Sequence, residues 1–244
     1  MLLAVDIGNT SIKFGVFDGE NLKHRSSTPT TSDELTDALA PFDDVSSAII
    51  CSVVPARTEV LAAVINKRFG VDTRVVSNHD DLGLSIRHEP VDSLGTDRLV
   101  NAFAAATRYG VPVIVGSFGT ATTIDAVSEK RELLGGLIAP GMATAAKALN
   151  LNTARLPEVR ADAADNVINR TTETAVRAGL YYSQVGLVET AVARMRDEIG
   201  TSAKVIATGG FASMIAEHCE AIDLVDADLV LEGLQMLDAR FNPQ

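Results

Sequence analysis

The sequence has 244 residues, of which 46% are hydrophobic and 22% charged, values typical of a globular protein with a full core. Asp and Glu outnumber Lys and Arg by 32 to 21, and the formal charge of −11 excludes a nucleic-acid-binding protein that depends on a basic surface. No segment approaches the roughly 20 apolar residues of a membrane span, and two isolated cysteines exclude a disulfide framework. We therefore expect a cytoplasmic protein that binds neither nucleic acid nor membrane.

The first half of the chain begins with strands and continues with alternating helices and strands. Residues 2–5 predict a buried strand, and the polar turn of residues 6–10 leads into residues 12–17, which alternate at strand period. Asp18 and Gly19 predict a hairpin turn before a third strand near Leu22. Later predicted elements are helix 32–39 with Ser32 as its N-cap, strand 48–51, helix 55–69, strand 74–76 and helix 96–109.

The second half restarts the same pattern. Its predicted elements are strand 112–115, turn 117–120, strands 122–127 and 133–138, helices 142–149 and 171–199, strand 204–207, turn 208–210, helix 211–219, strand 222–225 and helix 228–241.

Two similar hairpins, at residues 5–10 and 116–121, begin the two halves. Each follows an apolar strand with a polar residue, one apolar residue, a glycine and then hydroxyl or amide side chains, and each precedes two further strands and then helices. This arrangement resembles an α/β fold of duplicated actin/hexokinase-like (ribonuclease H-like) domains, with mixed sheets flanked by helices and halves 1–111 and 112–244. A Rossmann fold is the alternative, but it needs a helix directly after the glycine turn, where residues 12–17 read as a strand.

A glycine hairpin of this kind can bind phosphate. Its backbone approaches an anion closely at Gly8, Thr10 can donate a hydrogen bond, and the Asp6 carboxylate can hold Mg²⁺ through water. The same residues also fit an ordinary hairpin whose Asp and Asn make turn hydrogen bonds. A third glycine turn, at Gly209 and Gly210, lies between a strand and a helix, where a flat adenine ring can lie against the backbone.

Six segments occur in the order and approximate spacing of the type III pantothenate kinases, which this chain resembles from Leu2 to about Leu237. The most specific are segments 95–98 and 135–141, which generic members of the superfamily lack. The six segments are 6–10, 52–55, 95–98, 118–123, 135–141 and 208–212.

The resemblance implies a homodimeric kinase that uses ATP and Mg²⁺ to phosphorylate pantothenate, the first step of coenzyme A biosynthesis. Asp97 is then the general base for the pantothenate hydroxyl, and Thr172 completes the pocket of the facing subunit. The other implied substrate-binding residues are His88, Gly95, Thr96 and Arg98. The implied nucleotide-binding residues are Asp6, Gly8, Asn9, Thr10, Lys13, Gly119, Thr120, Thr122, Gly209 and Gly210.

The sequence departs from the family pattern at two positions. Ser117 stands where the family has an Asp that binds a monovalent cation such as K⁺ or NH₄⁺, and a neutral hydroxyl is a poor substitute for an anionic ligand. Asp125 is the alternative carboxylate nearby. His88 takes roughly the place of an aromatic residue. Two further functions stay open: a non-catalytic or weakly active dimeric accessory homologue, which Ser117 favours, and a kinase for another small hydroxylated acid.

Overall fold

The computed structural model describes residues 1–242. The chain folds into two compact units, one formed by Met1–Thr107 together with the segment that starts at Asp228, the other by Arg108–Ala227. In chain order the elements are β1 (Leu2–Ile7), β2 (Ser11–Asp18), β3 (Asn21–Pro29), α1 (Leu35–Leu39), β4 (Ser47–Ser52), α2 (Pro55–Phe69), β5 (Thr73–Val75), β6 (Ser85–Ile86), α3 (Thr96–Arg108), β7 (Val113–Phe118), β8 (Ala121–Val127), β9 (Glu132–Pro140), α4 (Met142–Asn152), α5 (Thr172–Ile199), β10 (Lys204–Thr208), α6 (Ala212–Ala216), β11 (Leu224–Val225) and α7 (Leu229–Phe241).

The first unit is built on a sheet with the strand order β3-β2-β1-β4-β5. Strand β1 pairs antiparallel with β2 and parallel with β4. Leu3, Val5 and Ile7 of β1 enter a core with side chains of β2, β4, α1 and α2. Because successive side chains of a strand alternate, Asp6 lies on the opposite face of the sheet.

The second unit repeats this arrangement. Its strands lie in the order β9-β8-β7-β10-β11, so that β7 takes the place of β1 and β10 the place of β4. Strand β7 pairs antiparallel with β8 and parallel with β10. Its core joins Ile114 and Phe118 of β7 to Tyr181 and Val185 of α5 and Ile215 of α6.

The common strand order confirms the duplication that the two hairpins predict. The predicted division into residues 1–111 and 112–244 follows the repeat along the chain, whereas the packing adds α7 to the first unit, because α7 contacts β1, β2 and β4. Among the helices of residues 1–242, none combines the length and apolar character that crossing a membrane requires.

Most predicted elements are present, with shifts at their ends. Helix α2 covers the predicted residues and ends at Gly70, whose φ is 70°. The predicted helix 32–39 starts only at Leu35, because the Ser32 hydroxyl accepts the Glu34 N–H at 3.2 Å in a turn. Ser117, which we expected in a turn, is a residue of strand β7.

Candidate active site

Three side chains lie side by side on the face of the first sheet opposite the core that β1 forms with α1 and α2. The strand register places Asp6 of β1 opposite Lys13 of β2 and next to Cys51 of β4. One carboxylate oxygen of Asp6, Oδ2, lies 3.5 Å from Lys13 Nζ, and the other, Oδ1, lies 3.4 Å from Cys51 Sγ. Asp6 is 7% exposed, so this carboxylate is held almost entirely by protein groups.

Hydrogen bonds to other protein groups fix the turn that follows Asp6. The Gly8 N–H donates to the Ser11 carbonyl at 3.0 Å, and the buried Thr30 hydroxyl donates to the Gly8 carbonyl at 2.6 Å. Asn9 and Thr10 at its tip are exposed. The hairpin is therefore a rigid base that presents these two residues to solvent.

The N-terminal end of α3 lies against the end of β4. The Thr96 hydroxyl accepts the Ser52 N–H at 3.2 Å and donates to the Ser52 carbonyl at 2.9 Å. Asp97 follows in the first turn and is half-buried, whereas Arg98 is buried. A Cβ atom on Gly95 would lie 2.5 Å from Asp97 Oδ1, so glycine leaves the space that this carboxylate fills.

The helix turn that carries Asp97 lies at the end of the strand next to Asp6. Thr96 is hydrogen-bonded to Ser52, which directly follows Cys51, the register partner of Asp6. Burial raises the pKa of the Cys51 thiol well above its usual value, and the negative charges of Asp6 and then Asp97 raise this pKa further. The two acids that the sequence singles out, 91 positions apart in numbering, thus belong to neighbouring elements of the first unit.

In the second unit, the equivalent hairpin is tied to the start of α4. The Gly119 N–H donates to the Ala121 carbonyl at 3.0 Å, and the Thr120 carbonyl accepts the Gly141 N–H at 3.1 Å and the Thr144 hydroxyl at 2.6 Å. Thr120 itself is exposed. Segment 135–141, one of the most specific motifs of the sequence, thus ends beside the second glycine hairpin.

The third glycine turn packs on the same hairpin. Gly209 has a φ of 95°, and a Cβ atom there would lie 2.6 Å from the Phe118 carbonyl oxygen. That oxygen accepts the Phe211 N–H at 3.2 Å. A cavity of about 560 Å³ opens beside this turn, a volume that suits a nucleoside. Its lining includes Ala146, Lys147, Arg160, Gly210, Phe211 and Met214.

Ser117 and Asp125 lie on one face of the second sheet. Ser117 pairs with Thr123, and its neighbour Val115 pairs with Asp125, so both side chains point to the face opposite the core of this unit. Asp125 is only 3% exposed. Asp125, the alternative carboxylate, therefore shares the face of Ser117.

The position of the Thr122 side chain corrects the predicted nucleotide site. It lies on the opposite face, is 1% exposed, and its hydroxyl donates to Oε1 of Gln184 in α5. Gln184 in turn donates to the Pro140 carbonyl at 3.2 Å. The Thr122 hydroxyl therefore braces the hairpin against α5 instead of facing a ligand.

The two remaining predicted residues are accessible. His88 is partly exposed and lies with Nε2 3.0 Å from the Ser93 hydroxyl. Thr172 is the exposed first residue of α5, directly after the N-cap Thr171, whose hydroxyl accepts the Thr174 N–H. The contact of Cys51 with Asp6 was missed, because the sequence places Cys51 in an apolar run and only the β1–β4 register brings them together.

Comparison with known proteins identifies the family. A family model for type III pantothenate kinase matches residues 2–194. A type III pantothenate kinase from Moorella thermoacetica is 40% identical over 252 residues, which cover 98% of this chain and 99% of that protein. The enzyme of the same name from Rhodospirillum rubrum is 39% identical over 256 residues and all of both chains.

Solved structures agree in fold. A Campylobacter jejuni protein described as a Baf family transcriptional activator has a TM-score of 0.65 at 21% identity, with 99% of this chain and 98% of that chain covered. A ROK family glucokinase from Streptomyces griseus, solved with glucose and AMPPNP, has a TM-score of 0.53 at 16% identity over 99% of each chain. These likenesses confirm the duplicated actin/hexokinase-like fold, and together with the family model and the sequence relatives they show that the chain belongs to the type III pantothenate kinase family.

Proposed function

We propose that this chain transfers a phosphoryl group from ATP to the primary hydroxyl of pantothenate, forming 4′-phosphopantothenate in the first step of coenzyme A biosynthesis. The observation that carries the proposal is that Thr96, next to Asp97, is hydrogen-bonded to Ser52 at the end of β4, the strand whose Cys51 pairs with Asp6. One acid belongs to a glycine hairpin suited to phosphate, and the other begins a helix and remains half-buried, within reach of a substrate. The relatives at about 40% identity supply the identity of the acceptor.

The proposed phosphate ligands are the exposed ends of the hairpins. The N–H groups of Gly8 and Gly119 donate within their own turns, and the proposed phosphate ligands are the exposed residues at the tips, Asn9, Thr10 and Thr120. Lys13, whose side chain is 35% exposed, adds a positive charge beside them. The cavity next to Gly210, with Lys147 and Arg160 in its lining, supports adenosine binding there.

The metal proposed for the reaction is Mg²⁺, which neutralises charge that develops on the phosphates. Asp6 is the residue that would hold it, since a single buried carboxylate at a strand end suits a metal that takes most ligands from water and phosphate. Within residues 1–242 there is no group of three or more His, Cys, Asp or Glu that could hold a metal ion by itself.

A monovalent cation such as K⁺ or NH₄⁺ has a weaker donor set in this chain. The Ser117 hydroxyl carries no charge, and the carboxylate on its face is the buried Asp125, two pairs along the ladder. We propose that Asp125 supplies the negative charge of this region.

Asp97 is the proposed general base. A carboxylate near the acceptor hydroxyl orients it for in-line attack and takes its proton, and an arginine can bind a substrate carboxylate through two hydrogen bonds. Arg98 is the arginine proposed to bind the carboxylate of pantothenate. Gly95, Thr96 and His88 are proposed to surround the substrate. The hydrogen bonds between Thr96 and Ser52 support it, because they fix the helix turn that carries Asp97.

We also propose a cytoplasmic homodimer in which Thr172 completes the site of the other subunit. Val167 and Ile168, shortly before Thr172, are 71% and 91% exposed, an unusual exposure for apolar side chains that a second copy would cover. A groove of about 510 Å³ between β9 and α5, lined by Leu134, Leu137, Leu187 and Ile199, adds apolar surface to the same unit. The two buried free cysteines fit a reducing compartment.

A coupled ATPase assay with pantothenate tests the proposed activity. The wild-type chain is expected to turn over pantothenate, and Asp97→Asn is expected to lower kcat by roughly 100- to 10,000-fold because the proton acceptor is lost. Nucleotide binding, measured by calorimetry, should stay unchanged in this variant. Asp92→Asn is the matched control, since Asp92 lies in the short 3₁₀ helix Val91–Ser93 before α3 with its side chain 81% exposed.

The other outcomes separate the competing functions. Nucleotide binding without pantothenate turnover by the wild type would indicate the accessory homologue that Ser117 favours. Turnover of a different hydroxylated acid would identify another small-molecule kinase. Full activity of Asp97→Asn would exclude Asp97 as the general base.

A further inference from the structure

Cys51 lies where a side chain can control the carboxylate of Asp6. It belongs to β4, which runs parallel to β1, and its register partner in β1 is Asp6 itself. The thiol sulfur is 3.4 Å from Asp6 Oδ1, within hydrogen-bonding distance for an S–H donor. Cys51 is 0% exposed, so no solvent molecule reaches the thiol to compete for this hydrogen bond.

The two oxygens of Asp6 have different neighbours. Oδ1 accepts from the buried thiol of Cys51 on one side, and Oδ2 faces the partly exposed ammonium group of Lys13 on the other. The thiol is the buried partner, whereas the ammonium group of Lys13 is partly exposed and accessible to an anion. A hydrogen bond at one oxygen favours one orientation of the carboxylate.

Cys51 can act only as the donor in this contact. A carboxylate oxygen accepts, and the S–H group is the donor that the 3.4 Å distance to Oδ1 requires. The side chain therefore differs from Cys219, the other free cysteine, which packs in the apolar core of the second unit.

We propose that Cys51 is a positioning residue of this kinase, whose S–H group holds Oδ1 of Asp6 and so leaves Oδ2 oriented for the magnesium–nucleotide complex. The inference rests on the proposed function, because it assigns Asp6 to that complex. Residues that hydrogen-bond to a metal-binding carboxylate orient it, and their loss typically lowers metal affinity or activity about 10- to 100-fold.

Three variants test this role: Cys51→Ala removes the donor, Cys51→Ser keeps a donor of similar size, and Cys219→Ala removes a buried thiol elsewhere. In Cys51→Ala we expect kcat/KM for Mg-ATP to fall about 10-fold or more, and the Mg²⁺ concentration for half-maximal activity to rise. The KM for pantothenate should not change. Cys51→Ser should stay within about threefold of wild type, because a hydroxyl donates to carboxylate at least as well as a thiol.

Calorimetric titration of a non-hydrolysable ATP analogue at several Mg²⁺ concentrations provides a readout that does not need turnover. If the wild type fails to phosphorylate pantothenate, the proposed function fails, while this titration still compares the Cys51 variants. Equal Mg²⁺ dependence in wild type and Cys51→Ala would overturn the role of Cys51. So would equal losses in Cys51→Ala and Cys219→Ala, or a Cys51→Ser variant as impaired as Cys51→Ala. If Cys51→Ala does not fold, Cys51→Val, which also lacks a donor but fills more of the space, replaces it in the same comparison.

Discussion

Asp6 and Ser117 occupy equivalent places in the two hairpins, but their neighbours differ in charge. Asp6 lies between Lys13 and Cys51, whereas Ser117 lies between Thr123 and Thr208. The first hairpin therefore carries an ion pair and a thiol in the row where the second carries three hydroxyl groups. The duplication has kept the backbone and changed the chemistry, so the charge at Ser117 is open to direct test.

Introducing an acid at Ser117 should increase the activity and make it depend on a monovalent cation. In Ser117→Asp we expect kcat to rise by roughly tenfold with K⁺ present, equivalent to about 1.4 kcal/mol of transition-state stabilisation. Steady-state kinetics with K⁺ replaced by a large organic cation measure the effect. Ser117→Asn is the control, because it has the size of Asp without its charge. No change in Ser117→Asp would show that Asp125 already supplies the charge.

At the scale of elements, local signals located the helices well where the residues at their ends decide the backbone. Pro55 at the first turn and Gly70 in a left-handed conformation define α2, and Gly200 with a φ of 77° ends α5 in the same way. Ends set by distant contacts were predicted less well. Phe211, for example, stays outside α6 because its N–H donates to the Phe118 carbonyl.

The candidate site could be predicted only in part for a similar reason. Glycines and acids after apolar strands mark the hairpins locally, so the sequence singles out Asp6, Gly8 and Gly209 as candidates. The neighbours of Asp6 depend on strand register, which periodicity does not determine over 45 positions between Asp6 and Cys51. The side to which Thr122 points likewise depends on where strand β8 begins.

Substitutions at two adjacent residues of the third glycine turn should have separate effects on folding stability and on nucleotide binding. Gly209→Ala should lower the free energy of unfolding by about 2 kcal/mol or more, because its φ is 95° and the new Cβ atom meets the Phe118 carbonyl. Gly210→Ala should change it by less than about 0.5 kcal/mol, since nothing lies within 4 Å of its Cβ position. Urea unfolding measures both.

Nucleotide affinity, unlike stability, should change when Gly210 is replaced. This residue lines the proposed adenosine cavity, so Gly210→Ala is expected to weaken ATP-analogue binding while the fold remains intact. Equal destabilisation by the two substitutions would contradict the packing described for Gly209, and unchanged affinity in Gly210→Ala would remove this cavity from the nucleotide site.

At the scale of the whole molecule, the proposed dimer has a consequence that a single chain does not share. If Thr172 completes the site of its partner, each active site combines Asp97 of one subunit with Thr172 of the other. Thr172→Glu should then repel the carboxylate of pantothenate. The helix should tolerate this change, because an acid in the first turn of α5 is favoured by the helix dipole.

Heterodimers of two inactive variants should therefore recover activity. When Asp97→Asn and Thr172→Glu chains are co-expressed with different tags and the mixed dimer is purified, one of its two sites has both native residues, and we expect about half of the wild-type kcat. A mixed dimer of Asp6→Asn and Asp97→Asn is the control. It should stay inactive, because Asp6 and Asp97 belong to the same unit of one chain, so that each site keeps one defect. If the first mixed dimer is no more active than its parents, Thr172 does not act across the subunit boundary, and a monomeric chain in sedimentation would lead to the same conclusion.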